Sequence, residues 1–347
     1  LDLPGGLNVA SGNFNDDGIP DLVILTGQAR EAVHLFLSTG PGEFEHRMIL
    51  MRHPAWGHSH IEVMDFNKDG HLDLLITNGD NGELENYPPK PYNGIRLHLN
   101  DGKNNFNETF FFPQYGAYRA VAEDFDGDGD LDLIVGSRGE NRLVFFENTS
   151  RRGNLSFREH AIGINGARAA GFNLEYADLN DDGRLDIIGA ASGGLAWLEQ
   201  PAQIDDAWNA HRIGTFAPDS MTGMETADIN GDGFLDVMAG SYSRGPREGD
   251  GDVDVDDALG RIGWFEHPGG DGTGAWTRHD VSRRKRGMYD KFIARDADGD
   301  GDIDFFGTRG NSAPYDGVFW LEQVRSSTPL ASFQRARTED SPEMPLP

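Results

Sequence analysis

Short apolar runs with period-two alternation recur along the chain, and Gly, Asn and Asp interrupt each one before it reaches helical length. Runs such as IEVMDF, AVAEDF and LEYADL lead into an acidic loop. A second run follows (LDLLIT, LDLIVG, LDIIGA), then a third (RLHLN, LVFFEN, LAWLEQ, IGWFEH, VFWLEQ) and a fourth (FREHAI, WNAHRI, WTRHDV). The pattern predicts four antiparallel strands per unit. The acidic loop itself recurs as NFNDDGIPD at 13–21, DFNKDGHLD at 65–73, DFDGDGDLD at 124–132, DLNDDGRLD at 178–186, DINGDGFLD at 228–236 and DADGDGDID at 296–304. A spacing of roughly 50 to 70 residues suits one four-stranded sheet per copy. The expected fold class is therefore all-β: a β-propeller of four-stranded antiparallel blades, six counted and a seventh left open. Residues 1–338 are read as one propeller domain, and 339–347, with Pro342, Pro345 and Pro347, as an irregular tail.

The third runs fall into two kinds, the later three carrying Trp197, Trp264 and Trp320, which points to two repeat subtypes. Insertions are expected at 78–94 and at 243–260, between second and third strands. The acidic stretch 247–257 lacks the Gly and the register of the main loops and reads as a solvated loop.

Composition sharpens the picture. With 30 basic and 58 acidic residues the formal charge is −28, so the chain should repel nucleic acid and anionic membrane, and its natural partners are cations. No apolar run could span a bilayer as a helix, so no membrane insertion is expected. The absence of Cys removes disulfides, thiolate catalysis and Cys-based zinc sites. The first residue is Leu and no charged-then-apolar leader is seen, as expected of a processed chain.

Like charges crowded into one turn need a counter-ion. A D-x-[DN]-x-[DN]-G-x-x-D loop offers oxygens at positions one, three, five and nine and a carbonyl at seven, with Gly at six for the sharp turn, and hard oxygen donors suit Ca²⁺. The candidate ligands are Asn13, Asn15, Asp17 and Asp21; Asp65, Asn67, Asp69 and Asp73; Asp124, Asp126, Asp128 and Asp132; Asp178, Asn180, Asp182 and Asp186; Asp228, Asn230, Asp232 and Asp236; and Asp296, Asp298, Asp300 and Asp304. Up to one Ca²⁺ per loop is expected, with affinity rising with carboxylate count: weakest at Asn13, strongest at Asp124 and Asp296. An EF-hand would need Glu at position twelve, where this chain has Ile24, Ile76, Val135, Gly189, Ala239 and Gly307.

On these loops the chain resembles the FG-GAP/VCBS repeat family, the calcium-loop propellers of integrin α-subunits and some fungal lectins, from about residue 8 to 337. The later segments WFEHPG, RGMYDKFIARDADGDGDIDF and RGNSAPYDGVFWLEQ are also similar to propellers of fungal sugar dehydratases and rhamnose–glucuronate lyases. Calcium loops with several carboxylates suit an extracellular or periplasmic setting, so a secreted or periplasmic location is expected, and the resemblance leaves the function open.

The loop joins first to second strand, so the opposite ends of those strands form the expected ligand face. Five residues before each first ligand stand Asn8, His60, Arg119, Asn173, Gly223 and Lys291; four before stand Val9, Ile61, Ala120, Leu174, Met224 and Phe292. One column is polar, its neighbour apolar. If first strands are innermost, His60, Arg119, Asn173 and Lys291 ring the channel mouth, with Glu62, Glu175 and Glu225 two steps further in. The candidate catalytic residues are His58, His60, Arg119, Arg138, Tyr289, Lys291 and Arg309, and the candidate substrate contacts are Asn78, Asn173, Tyr242, Asn311 and Tyr315. His58 and His60, in WGHSH, break the repeat, whereas His46, His160, His211 and His279 recur on fourth strands and read as packing residues.

Two functions stay open. In the first, to which the reading leans, an Arg neutralises the carboxylate of an acidic polysaccharide or oligosaccharide, and His, Tyr or Lys removes the neighbouring proton in a β-elimination by a carbohydrate lyase. In the second, the same face is a non-catalytic surface for glycans or a protein ligand, with Tyr87, Tyr92, Tyr242, Tyr289 and Tyr315 as flat contacts. A purely structural scaffold is the third reading. No G-x-S-x-G, H-E-x-x-H or P-loop supports hydrolase chemistry.

Overall fold

The computed structural model describes residues 6–27, 30–80, 90–137, 142–151, 154–166, 169–191, 194–217, 219–243, 262–282, 287–310 and 317–325. The alternating runs become six antiparallel sheets, and the chain is an all-β, six-bladed β-propeller of four-stranded blades. In chain order the first sheet holds β1 (Gly6–Gly12), β2 (Asp21–Thr26), β3 (Glu31–Gly40) and β4 (Glu43–Arg52). The second holds β5 (His58–Met64), β6 (Asp73–Asn78), β7 (Gly94–Asn100) and β8 (Phe106–Pro113), and the third β9 (Ala117–Glu123), β10 (Asp132–Ser137), β11 (Arg142–Asn148) and β12 (Phe157–Ala161). The fourth begins with the two-residue β13 (Ile164–Asn165), parallel to β17 (Trp208–Gly214), and continues through β14 (Ala169–Ala177), β15 (Asp186–Ala191) and β16 (Gly194–Glu199). The fifth is β18 (Ser220–Ala227), β19 (Asp236–Ser243), β20 (Ile262–Glu266) and β21 (Thr277–Ser282), with β22 (Gly287–Met288) added to β19. The sixth has three described strands, β23 (Phe292–Arg295), β24 (Asp304–Arg309) and β25 (Gly317–Leu321). The helical element among the described residues is one 3₁₀ turn, Pro54–Trp56, and no helix is long and apolar enough to cross a membrane.

Two compact units divide the chain. The first comprises Leu1–Gly163, Ala170–Phe172 and Gln203–Asp206, and the second Ile164–Ala169, Asn173–Ala202 and Ala207–Pro347. Inside the first unit, β1 lies against β5 and β5 against β9, so first strands neighbour one another as expected. Inside the second, β18 lies against β23. The alternating apolar residues bury themselves between sheets: Val23, Leu25, Val33 and Leu35 with Ile61 and Ile76; Leu75, Ile95 and Leu97 with Ala120, Leu133 and Val135. In the second unit Ile188 and Trp197 pack with Met224, Val237 and Phe265, and Ile262 with Tyr289, Phe292 and Phe305.

The apolar column holds at five of its six positions. Ile61, Ala120, Leu174, Met224 and Phe292 are buried, whereas Val9 is 59% exposed. The recurring fourth-strand histidines pack as expected of repeat residues. His211 stacks on Trp197 at 4.5 Å and its Nε2 meets Glu199 at 2.9 Å; His279 stacks on Trp264 at 4.2 Å and meets Glu266 at 2.7 Å. His160 leans on Phe145, and His46 stacks on Phe36.

Candidate functional site

Every acidic loop joins the first to the second strand of its sheet, and all six share one hydrogen-bond scheme. The amide of residue seven donates to the carboxylate of residue five, from Ile19 to Asp17 at 2.8 Å through to Asp302 to Asp300 at 3.1 Å. From the second loop onward, the Gly at six donates to the Asp at one, as Gly70 does to Asp65 at 2.8 Å and Gly129 to Asp124 at 3.0 Å. The Gly is required because this residue has φ near +90°, for instance Gly129 and Gly301 at 92°. Residue four is left-handed too: Gly127, Gly231 and Gly299 adopt it easily, but Asp16, Lys68 and Asp181 hold φ of 57° to 60° with a side chain attached.

Position nine has a structural duty that the motif does not reveal. Asp21, Asp73, Asp132, Asp186, Asp236 and Asp304 are all buried. One oxygen of each accepts the amide of loop residue two, and the other accepts an amide near the end of the third strand. For Asp186 these donors are Leu179 at 3.0 Å and Gln200 at 2.9 Å; for Asp132 they are Phe125 at 3.1 Å and Asn148 at 2.7 Å. Burial pushes Asp132 and Asp186 up to about 7 and Asp73 and Asp236 up to about 6.

Positions one, three and five face the other way. In the third and sixth loops, Asp124, Asp126 and Asp128, and Asp296, Asp298 and Asp300, bring one oxygen each within 4.8 Å of one another. Asp124 Oδ1 is buried and has no hydrogen-bond partner, as has Asn13 Oδ1 at the corresponding place in the first loop. Three converging carboxylates with an orphaned oxygen fit a hard divalent cation such as Ca²⁺, held by oxygen donors alone. When bound, it would neutralise charges that otherwise repel.

The inner strands of the first unit assemble a polar network. Arg119 Nη1 donates to His60 Nδ1 at 3.0 Å, and Asn8 Nδ2 reaches the same nitrogen at 3.0 Å. Guanidinium groups only donate, so Nδ1 is the acceptor and the ring proton sits on Nε2, where it is given to Glu62 Oε1 at 2.6 Å. Glu62 Oε1 also lies 3.4 Å from Arg119 Nη2. His60 and Arg119 thus meet as a charge-matched set in which Glu62 answers the guanidinium.

His58 goes elsewhere. A register shift between His58 and His60 in the β5–β6 pairing separates two residues that regular alternation would put on one face. The His58 amide donates to Glu31 Oε2 at 2.6 Å, and its Nδ1 lies 3.4 Å from both that oxygen and the Thr26 carbonyl. Burial lowers the His58 ring to about 4, with Arg52, His98 and Arg96 nearby opposing a charge further. The two rings therefore turn to different neighbours, His58 to Glu31 and Thr26 and His60 to Asn8, Arg119 and Glu62. Glu31 was invisible to sequence reasoning because its partner lies 27 residues away in the next repeat.

In the second unit the matching column behaves alike. Lys291 Nζ donates to Glu175 Oε1 at 2.7 Å and lies 3.4 Å from Glu225 Oε2. Burial pushes the Glu225 carboxyl up, and Lys291 opposes that rise. Asn173 Nδ2 donates to the carbonyls of Thr222 and Asp290, each at 3.0 Å. Gly223, the gap in the polar column, has a reason: its amide donates to the Tyr289 carbonyl at 2.8 Å, and a Cβ there would sit 2.4 Å from that oxygen.

The remaining candidates divide. Tyr289 is fully buried and packs edge-on against Phe319, and Arg309 is 4% exposed, so neither is a surface contact. Asn78, also buried, donates to the Tyr92 carbonyl at 2.6 Å and accepts from Arg96 at 2.8 Å, fastening a stack in which Tyr92 lies on Trp56 and Arg96 covers both Trp56 and Phe111. Tyr242 is half-buried on β19 beside Met288. Arg138, Asn311, Tyr315 and Tyr87 lie outside the described residues, as do the acidic stretch 247–257 and the tail.

A profile of the FG-GAP-like repeat matches residues 13–76, 124–188 and 178–239, more than half of the chain. No curated protein matches it in sequence. Among solved structures, AofleA from Arthrobotrys oligospora aligns at 13% identity over 90% of this chain and 81% of its own, with a TM-score of 0.46. The exotype rhamnogalacturonan lyase YesX aligns at 16% identity and a TM-score of 0.46 over 91% of this chain, which spans 55% of the lyase. An exo-β-1,3-galactanase from Phanerochaete chrysosporium aligns at 10% identity over 73% of this chain and 56% of its own, with a TM-score of 0.44. At that level of likeness, the activities in those names remain theirs.

Proposed function

The chain belongs to the FG-GAP-like repeat family, and from that premise we propose that it is a calcium-binding β-propeller of a secreted or periplasmic setting, a rigid recognition module for a glycan or protein ligand. One observation carries the reading: Asp124, Asp126 and Asp128, and their counterparts Asp296, Asp298 and Asp300, converge their oxygens at two loops, and Asp124 keeps a buried oxygen without a partner. Carboxylates brought so close need a cation to offset their repulsion. The recognition reading follows from the inner strands, whose cations are already answered by Glu62, Glu175 and Glu225.

Equilibrium dialysis of chelator-treated protein against Ca²⁺ tests the metal. At least two ions per chain are expected, one for each converged triad, and D126N/D128N should remove one of them. Dialysis with no ion retained above background would end the reading. Arrays of acidic glycans then test recognition, with binding and no turnover expected.

A second reading, a uronate lyase working by β-elimination, draws support from Lys291, whose side chain is 37% exposed and sits between two carboxylates. A Lys–Glu pair of this kind can exchange a proton with a substrate, whereas His60 has its lone pair engaged. Unsaturated uronate forming from an acidic glycan, with K291A slower by about 10²-fold or more, would favour this reading over simple binding.

A further inference from the structure

The third and sixth loops look equivalent in sequence, each with five Asp in nine positions, but the fold gives them different surroundings. Lys68, residue four of the second loop, extends into the third. Its Nζ donates to Asp130 Oδ1 at 2.6 Å and to the Gly129 carbonyl at 2.6 Å. Asp130 is residue seven, whose carbonyl rather than its side chain is the expected cation ligand, so the ammonium sits outside the cage and takes none of the three converging carboxylates. Lys68 also accepts a left-handed backbone, φ 57°, where the third, fifth and sixth loops use Gly.

We propose that Lys68 is a tethered counter-ion of the third loop, which lowers that loop's affinity for divalent cations by neutralising one of its five carboxylates from the neighbouring blade. The inference rests on the calcium reading above and concerns how that site is tuned. Three facts bear on it. The Nζ–Asp130 contact is as short as a charge-assisted bond becomes. The same ammonium also takes the Gly129 carbonyl at 2.6 Å, one residue past Asp128 of the cage. In the sixth loop the corresponding Asp302 has no such direct ammonium bond among the described residues, and Arg325 acts on it only from further off. A fixed positive charge near a cation site opposes the incoming ion, and because Lys68 is exposed that opposition must weaken with salt.

Calorimetric titration of Ca²⁺ into the 347-residue chain decides the matter. At about 20 mM salt, K68M should bind at the third loop about three- to ten-fold more tightly than wild type; near 1 M salt the two should converge. K68R, which keeps the charge, should match wild type. In a D126N/D128N background, where the third loop is disabled, the third-loop gain should vanish, and any change left in K68M reports the second loop, in which Lys68 itself sits. Equal or weaker binding by K68M at low salt would overturn the proposal while leaving calcium binding intact. If neither wild type nor K68M takes up Ca²⁺, the calcium reading itself falls and the role of Lys68 falls with it.

Discussion

His58 and His60 stand two residues apart and use their rings in opposite ways. His60 is tied to Asn8, Glu62 and Arg119 in a network that balances charge. His58 is shut into the sheet interface beside Glu31, and its Nε2 is buried without a hydrogen bond. His98 is similar: burial lowers its ring to about 4, with Arg52 and Arg96 opposing charge, and its Nε2 is likewise unpartnered. Both rings are held neutral, below the ordinary value of 6.5. A histidine whose folded-state value is depressed binds fewer protons folded than unfolded. Its contribution is therefore complete above pH 6.5 and is lost as pH falls toward 4. Each ring should cost about 3 kcal/mol by the bottom of that window. Urea unfolding of wild type, H58N and H98N at pH 7 and pH 4.5 checks this: the variants should lose less stability between the two pH values than wild type does. A pH response identical in all three would rule out these rings as its source.

At the scale of the loop and its strands, the repeated nine-residue motif does two jobs that sequence alone merges into one. In the third and sixth loops residues one, three and five gather their oxygens together, and in every loop residue nine is buried and fastens the loop to the third strand. Replacing Asp186 by Ala strands the amides of Leu179 and Gln200 in a buried place. The expected cost is about 3 kcal/mol, because one buried acceptor is lost from two donors at once. D182N, at exposed position five of the same loop, should cost under about 1 kcal/mol without calcium. Chemical denaturation in chelator measures both; comparable losses would mean position nine has no special structural duty. The strands themselves were legible because alternation and turn residues are local signals, and the loops were legible because they repeat. The polar column on the inner strands was legible too, since Asn8, His60 and Arg119 do meet. What could not be read were partners supplied by another repeat. Glu31 reaches His58, Lys68 reaches Asp130 across 62 residues, and the bulge beside Ser59 undoes the alternation that made His58 and His60 look like a pair.

On the scale of the whole molecule, a net charge of −28 works against compaction, since like charges dispersed over one surface repel at every pH where the carboxylates are ionised. Monovalent salt relieves part of that repulsion by screening, without regard to where the charges sit. A divalent cation in a carboxylate cage relieves it where it is densest and adds binding energy that the unfolded chain cannot gain. The two effects separate experimentally. Metal-free protein should melt at a modestly higher temperature as NaCl is added. About 1 mM Ca²⁺ should raise the melting temperature further than NaCl at the same ionic strength, by an amount equivalent to about 2.7 kcal/mol per site once calcium exceeds Kd 100-fold. In a variant with Asn at 126, 128, 298 and 300, the calcium-specific part should shrink sharply while the NaCl response stays. Should Ca²⁺ and NaCl act identically on the wild-type chain, the acidic loops stabilise nothing by binding, and the cation is only screening the surface.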